Sequence, residues 1–153
     1  MTEISNDAVF REALDRLPVA QQRLVGKLFV DSVIDLADNP KIRSAVDNAL
    51  AADSTQEDMR DAFRRVKALA IESYTLCGRD ADWLSQASHF VAAAAAANLV
   101  PEDQETQCRN LAWATAMNAR MARMCENIVR GTSGEGVEAQ RQYRILEDFL
   151  AAG

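Results

Sequence analysis

Six alanines in succession, Ala92 to Ala97, follow an apolar stretch that carries Trp83, Leu84, Ala87, Phe90 and Val91. Alanine is the strongest helix former and a poor strand residue, so a run of this length commits its surroundings to an α-helix. The run also constrains packing. Side chains this small let two helix axes come nearer than the usual separation of roughly 8–10 Å, which places the run against another helix rather than against water. The rest of the chain agrees. Its 153 residues include only 6 Gly and 3 Pro, too few turn formers for a sandwich or barrel. With 48% hydrophobic and 26% charged residues, the balance is that of a folded domain and not of a disordered polymer. The expectation is an all-α fold, a compact bundle of about seven helices forming one helical domain over residues 1–153.

Periodicity and capping residues divide the chain. Ser5 or Asn6 caps a first helix with Val9, Phe10, Ala13, Leu14 and Leu17 at three- and four-residue steps, ending before Pro18. A second helix, apolar over most of its circumference and therefore expected at the centre of the bundle, runs from Pro18 to about Ala37. Asn39 and Pro40 open a short third helix with the stripe Ile42, Ala45, Val46, Ala49 and Leu50. Ser54 to Glu57 match a capping box for a fourth helix, which Cys77 and Gly78 are expected to end. The alanine-rich helix follows from Asp80 to Leu99, and a long sixth helix runs from Pro101 to about Arg130, with Glu102, Asp103 and Glu105 complementing its dipole. Gly131 to Gly136 forms a loop, and Val137 to Leu150 a last helix.

Charge narrows the partners. The net charge is −6, and residues 1–61 carry 12 acids against 7 bases. Such a surface repels phosphate backbones and attracts basic proteins, so nucleic acid is not an expected partner. The most apolar stretch is about half the length that crosses a bilayer, so no membrane span is expected either. Three cysteines, Cys77, Cys108 and Cys125, stand without paired spacing, and Met1 to Asp7 is polar, which together point to reduced thiols and a cytoplasmic location.

Few side chains assemble into chemistry. His89 is the sole histidine, so neither a histidine-rich metal site nor a paired Glu-x-x-His di-iron site can be built from this chain alone, and no cofactor is expected. Ser85 and His89 stand one helical turn apart, the spacing of a structural contact that could also seed a nucleophile and base. The cysteines read as small core residues, with a reactive Cys108 the catalytic alternative. Met117, Met121 and Met124 read as core packing. The Gly131–Gly136 loop lacks the preceding strand and following Lys of a phosphate cradle.

Two acidic edges are the candidate partner-binding residues. Asp31, Asp35 and Asp38, at i, i+4 and i+7, share one face of the second helix if that helix is continuous. Like charges at this spacing repel by a few tenths of a kcal/mol per pair, a cost that hydration or a cationic partner relieves. Glu57, Asp58 and Asp61 form the second edge, and they equally suit the dipole of a helix start.

Between Phe29 and Met124 several segments resemble a family. They are Phe29 to Leu36, the continuation from Asn39 and Pro40 to Val46, Thr55 to Asp58 leading into Arg60 and Phe63, Ser88 to Ala93 with His89, and Ala112 to Ala116 around Trp113. These resemble an all-α family of bacterial immunity proteins, small domains that neutralise a cognate toxin; the family carries further histidines that this chain lacks. The resemblance implies a non-enzymatic, partner-blocking role and assigns no residue to it. The alternative is a structural or assembly module, with the alanine face and the Met stripe forming a homodimer or hetero-complex seam.

Overall fold

The computed structural model describes residues 3–80, 82–102, 110–132, 134 and 136–153, with the backbone alone for 75–80. Among these are seven α-helices and no strand: α1 (Asp7–Asp15), α2 (Val19–Asp31), α3 (Lys41–Ala49), α4 (Gln56–Asp80), α5 (Trp83–Leu99), α6 (Leu111–Arg130) and α7 (Val137–Ala152). A 3-10 turn, Ile34–Leu36, lies between α2 and α3. The all-α bundle of about seven helices is therefore the fold.

The alanine run determines its plan. Ala92, Ala94 and Ala95 of α5 are buried, and Ala112, Ala116, Ala119 and Ala122 of α6 are fully buried too. These two helices make the most extensive contact in the molecule, and α4 packs on the other flank of α5. Helices α2 and α3 also pack on α5, which leaves Ala93, Ala96 and Ala97 half-buried on its outer side. One core cluster joins α3, α4 and α5 through Ile42, Val46, Phe63, Val66 and Val91. The second joins α1, α2, α6 and α7, where the Phe10 ring lies 5.7 Å from Phe29 and 5.3 Å from Tyr143.

Three helix boundaries differ from expectation. Helix α2 stops at Asp31 instead of running to Ala37. Two bonds close the end: Ser32 Oγ donates back to the Phe29 carbonyl at 2.8 Å, and Arg123 Nη2 of α6 donates to the Ser32 carbonyl at 2.7 Å, so these acceptors are satisfied without further helix. Helix α4 passes through Gly78 to Asp80, since one glycine costs only about 1 kcal/mol in a helix this long. Helix α6 starts afresh at Leu111, where the Asn110 side chain accepts from Trp113 N at 2.9 Å; Asp103, Glu105 and Cys108 lie outside the described residues. The helix α2 expected at the centre leaves Leu24 and Leu28 exposed, and α5 takes the central place. Among the described residues, no helix is long and apolar enough to cross a membrane.

Candidate functional site

Ending α2 at Asp31 separates the first acidic triad, which no longer shares one helix face. Asp35, on the 3-10 turn, is held by the Arg123 guanidinium at 3.2 Å and 3.3 Å. Arg123 also pairs with Glu126 at 2.8 Å and approaches Glu138 at 3.6 Å, so Asp35 belongs to a network that ties the turn to α6 and α7. Asp38 is fixed from the other direction: the buried Ser88 hydroxyl donates to Asp38 Oδ1 at 2.7 Å and accepts from the Asp38 amide at 3.1 Å. Asp31 is half-buried, and that burial pushes its carboxyl above the usual carboxylate range; nearby Asp47 adds to the effect, while Lys27 and Arg43 oppose it.

The second edge is partly engaged at the start of α4. Thr55, rather than Ser54, is the cap: Asp58 N donates to Thr55 Oγ1 at 3.1 Å, and Thr55 N donates to Asp58 Oδ2 at 2.9 Å. The Ser54 hydroxyl instead donates to the Ala49 carbonyl at 2.6 Å, which closes the end of α3. The capping box exists, one residue later than the Ser54–Glu57 reading. Asp61 pairs with Arg64 at 3.1 Å, in solvent. Glu57 is exposed, without an ion pair among the described residues.

What the structure brings together is a seam between α3 and α4. One hollow, of about 320 Å³, is lined by Asp53, Asp58, Asp61, Asn48 and Arg65 over the small side chains of Ala45 and Ala62. A second, of about 440 Å³, has Asp38 and Glu72 with Ser73 and Ser88 around an apolar floor of Ile42, Leu69 and Ala92. The described linings thus hold five carboxylates and a single guanidinium. Asp53 and Glu72 are additions to the sequence-derived set. Glu72 was legible: Asp58, Asp61, Arg65 and Glu72 stand at i, i+3, i+7 and i+14, one flank of a helix. Asp53 was not, because a loop residue carries no periodicity.

Ser85 does not meet His89; its hydroxyl donates to Asp82 Oδ2 at 2.8 Å, and Asp82 caps α5, the Ser85 bonds holding its carboxyl below the usual range. His89 Nδ1 lies 2.8 Å from the Ala70 carbonyl and 3.3 Å from Ser73 Oγ, with its ring against Tyr74 and Phe90. Cys125 is buried. The Met stripe is not core: Met117 is partly covered, but Met121 and Met124 are exposed, as are Ile128 and Val129. The period of four and three that suggested core packing is real, yet it falls on the side of α6 opposite its buried alanines.

Comparison with known proteins found no match for this chain among protein-family models, curated proteins or solved structures.

Proposed function

We propose that the chain is a non-enzymatic protein-binding domain that captures a basic protein along the α3–α4 seam, as an immunity protein does when it covers a functional surface of a toxin. The observation that carries this reading is the seam itself, with five carboxylates and one guanidinium around two hollows. A cleft lined by one sign of charge concentrates the field and raises association rates by about 10- to 1,000-fold for an oppositely charged partner. Asp38, Asp58 and Asp61 of the sequence-derived set line this surface; Glu57 stands beside it at the start of α4. Asp31 stands in the field of Asp47 of α3, and Asp35 is given over to Arg123.

The test is the association rate of the protein encoded next to this chain, measured at low and high salt against the triple variant Asp53→Asn, Asp61→Asn, Glu72→Gln. A loss of about tenfold or more in rate, with a flattened salt dependence, is expected. An unchanged rate removes the seam from the binding surface. A second reading, an assembly module, is favoured by the exposed Met121, Met124 and Ile128 on α6, an apolar stripe of the kind that marks interaction sites.

A further inference from the structure

Ser88 places a hydroxyl among the buried side chains of α5. Its neighbours Ala87, Val91 and Ala92 belong to the core, and Ser88 is only 4% exposed. A serine within a helix ordinarily returns its hydroxyl to a carbonyl of the preceding turn. This one reaches out to the link between the 3-10 turn and α3, donating to Asp38 Oδ1 at 2.7 Å and accepting from the Asp38 amide at 3.1 Å. The amide bond alone would tie the link to α5. The second bond does more, because it fixes the carboxylate of a residue that lines the larger hollow of the seam, together with Glu72 and over Ile42 and Leu69. Asp38 Oδ2 has no partner among the described residues.

The same link is held from its other end. Arg123 donates to the Ser32 carbonyl at 2.7 Å and pairs with Asp35, and Asn39 caps α3 through Lys41 N at 2.9 Å. Asp38 is therefore ordered before any partner arrives. We propose that Ser88 is a positioning residue of the seam, whose hydroxyl occupies Asp38 Oδ1 and leaves Oδ2 open to the cationic head of a lysine or arginine side chain from the partner. The hollow suits such a side chain along its length. Its methylene stem lies over the apolar floor of Ile42, Leu69 and Ala92, and its head meets Asp38 with Glu72. A carboxylate that is already held loses no rotamer freedom on binding, an advantage of about threefold to tenfold in affinity. This role rests on the seam being the binding surface; it adds the residue that readies Asp38 and the side chain that Asp38 receives.

The experiment titrates N-acetyl-lysine methylamide and N-acetyl-arginine methylamide into the isotope-labelled full chain while backbone amide shifts are followed, with neutral N-acetyl-norleucine methylamide as the control. At least one of the cations is expected to shift the amides of Asp38 and Ser88 saturably, and the norleucine probe is not. Ser88→Ala adds one more alanine to an alanine-rich helix and so keeps the fold; it should weaken that binding about threefold to tenfold. Asp38→Asn should weaken it further, and Ser88→Ala added to Asp38→Asn should then cost nothing more, which a mere loss of packing at Ser88 would not produce. Absence of shifts at these amides, equal binding of the norleucine probe, or a Ser88→Ala effect that is nil or that persists in the Asp38→Asn background overturns the proposal. Failure of the seam looks different: the cations bind through Ser88, yet the protein encoded next to this chain shows no salt-dependent capture. Capture that Ser88→Ala leaves unchanged removes the role of Ser88 and spares the seam.

Discussion

Gly26 stands in the middle of α2, where alanine is favoured over glycine by about 1 kcal/mol, so propensity alone says that Gly26→Ala stabilises. The structure reverses the sign. A Cβ at this position would collide with Asn98 Oδ1 and lie 2.8 Å from Asn98 Cγ. The Asn98 side chain has nowhere to go: it is fully buried in α5, and its Nδ2 donates to the Arg23 carbonyl at 3.2 Å. The neighbouring Arg23 guanidinium is fixed too, donating to the carbonyls of Asn98 at 2.8 Å and Val100 at 2.7 Å. Overpacking of this kind costs about 1–3 kcal/mol, and the Asn98 hydrogen bond adds about 1 kcal/mol if it breaks. Set against the helix gain, the net loss is about 2 kcal/mol, a fall in melting midpoint of roughly 4–8 °C for a chain of this size. Urea unfolding followed by circular dichroism measures it. In an Asn98→Ala background the obstruction is gone, and the same substitution should be neutral or stabilising by up to about 1 kcal/mol. A more stable Gly26→Ala single variant, or an undiminished loss in the Asn98→Ala background, would refute the close-approach argument.

Three further perturbations probe the ion network, the acidic edge and the cap. Arg123→Met leaves the buried Glu126 with Arg130 at 3.2 Å and the buried Glu138 with Arg141 at 3.0 Å and the Ser32 hydroxyl at 2.9 Å, and should cost about 2–3 kcal/mol in denaturant unfolding, because removing the shared guanidinium leaves two buried carboxylates with less compensation. Asp31→Asn should raise the melting temperature at neutral pH. The folded-state carboxyl titrates above its unfolded value of 3.8, so ionising it weakens the fold as pH rises through that interval, and the advantage of the variant should vanish below about pH 3.8, where Asp31 is protonated in both states. Thr55→Ala should cost about 1 kcal/mol and Ser54→Ala less, since Thr55 satisfies an amide at the start of α4 while Ser54 only adds a bond to the Ala49 carbonyl; the reverse order would restore the earlier register.

The helical architecture was legible because its signals are local. Asn6 accepts from Val9 N at 3.0 Å, and Asn39 Oδ1 accepts from Lys41 N at 2.9 Å, as their positions before apolar periodic stretches suggest. The alanine run announced the α5–α6 contact for the same reason. What local pattern cannot carry is the influence of distant residues. The stop at Asp31 is held not only by the Ser32 hydroxyl on the Phe29 carbonyl but also by Arg123, 91 residues beyond the Ser32 carbonyl that it binds, and that distant half of the arrangement is invisible to local pattern. The Met stripe shows the complementary limit. Periodicity says that Met117, Met121 and Met124 share a side of α6, but whether another helix covers that side is a matter of topology.

Helix α4 sorts its charged residues by side in a chain of net charge −6. Asp58, Asp61 and Glu72 line the seam with α3, whereas Phe63 and Lys67 line an apolar hollow over α5, and Arg60 lines a separate hollow that it shares with Glu102. The acids lie on one side of the helix and Lys67 on another, with Arg65 the one guanidinium among the described linings of the acidic side. The ion pair of Arg64 with Asp61 lies in solvent, where it is worth little and leaves the acid exposed on the proposed seam. The acids spent on the fold are a different group. Asp7, held below the usual carboxylate range chiefly by the Arg120 hydrogen bond, pins α1 to α6, and Asp35 holds the 3-10 turn to Arg123. Counting carboxylates along the chain therefore overstates the available acidic surface near Asp35 and understates it near Glu72, so the field of the proposed binding seam is set by α4 rather than by the end of α2.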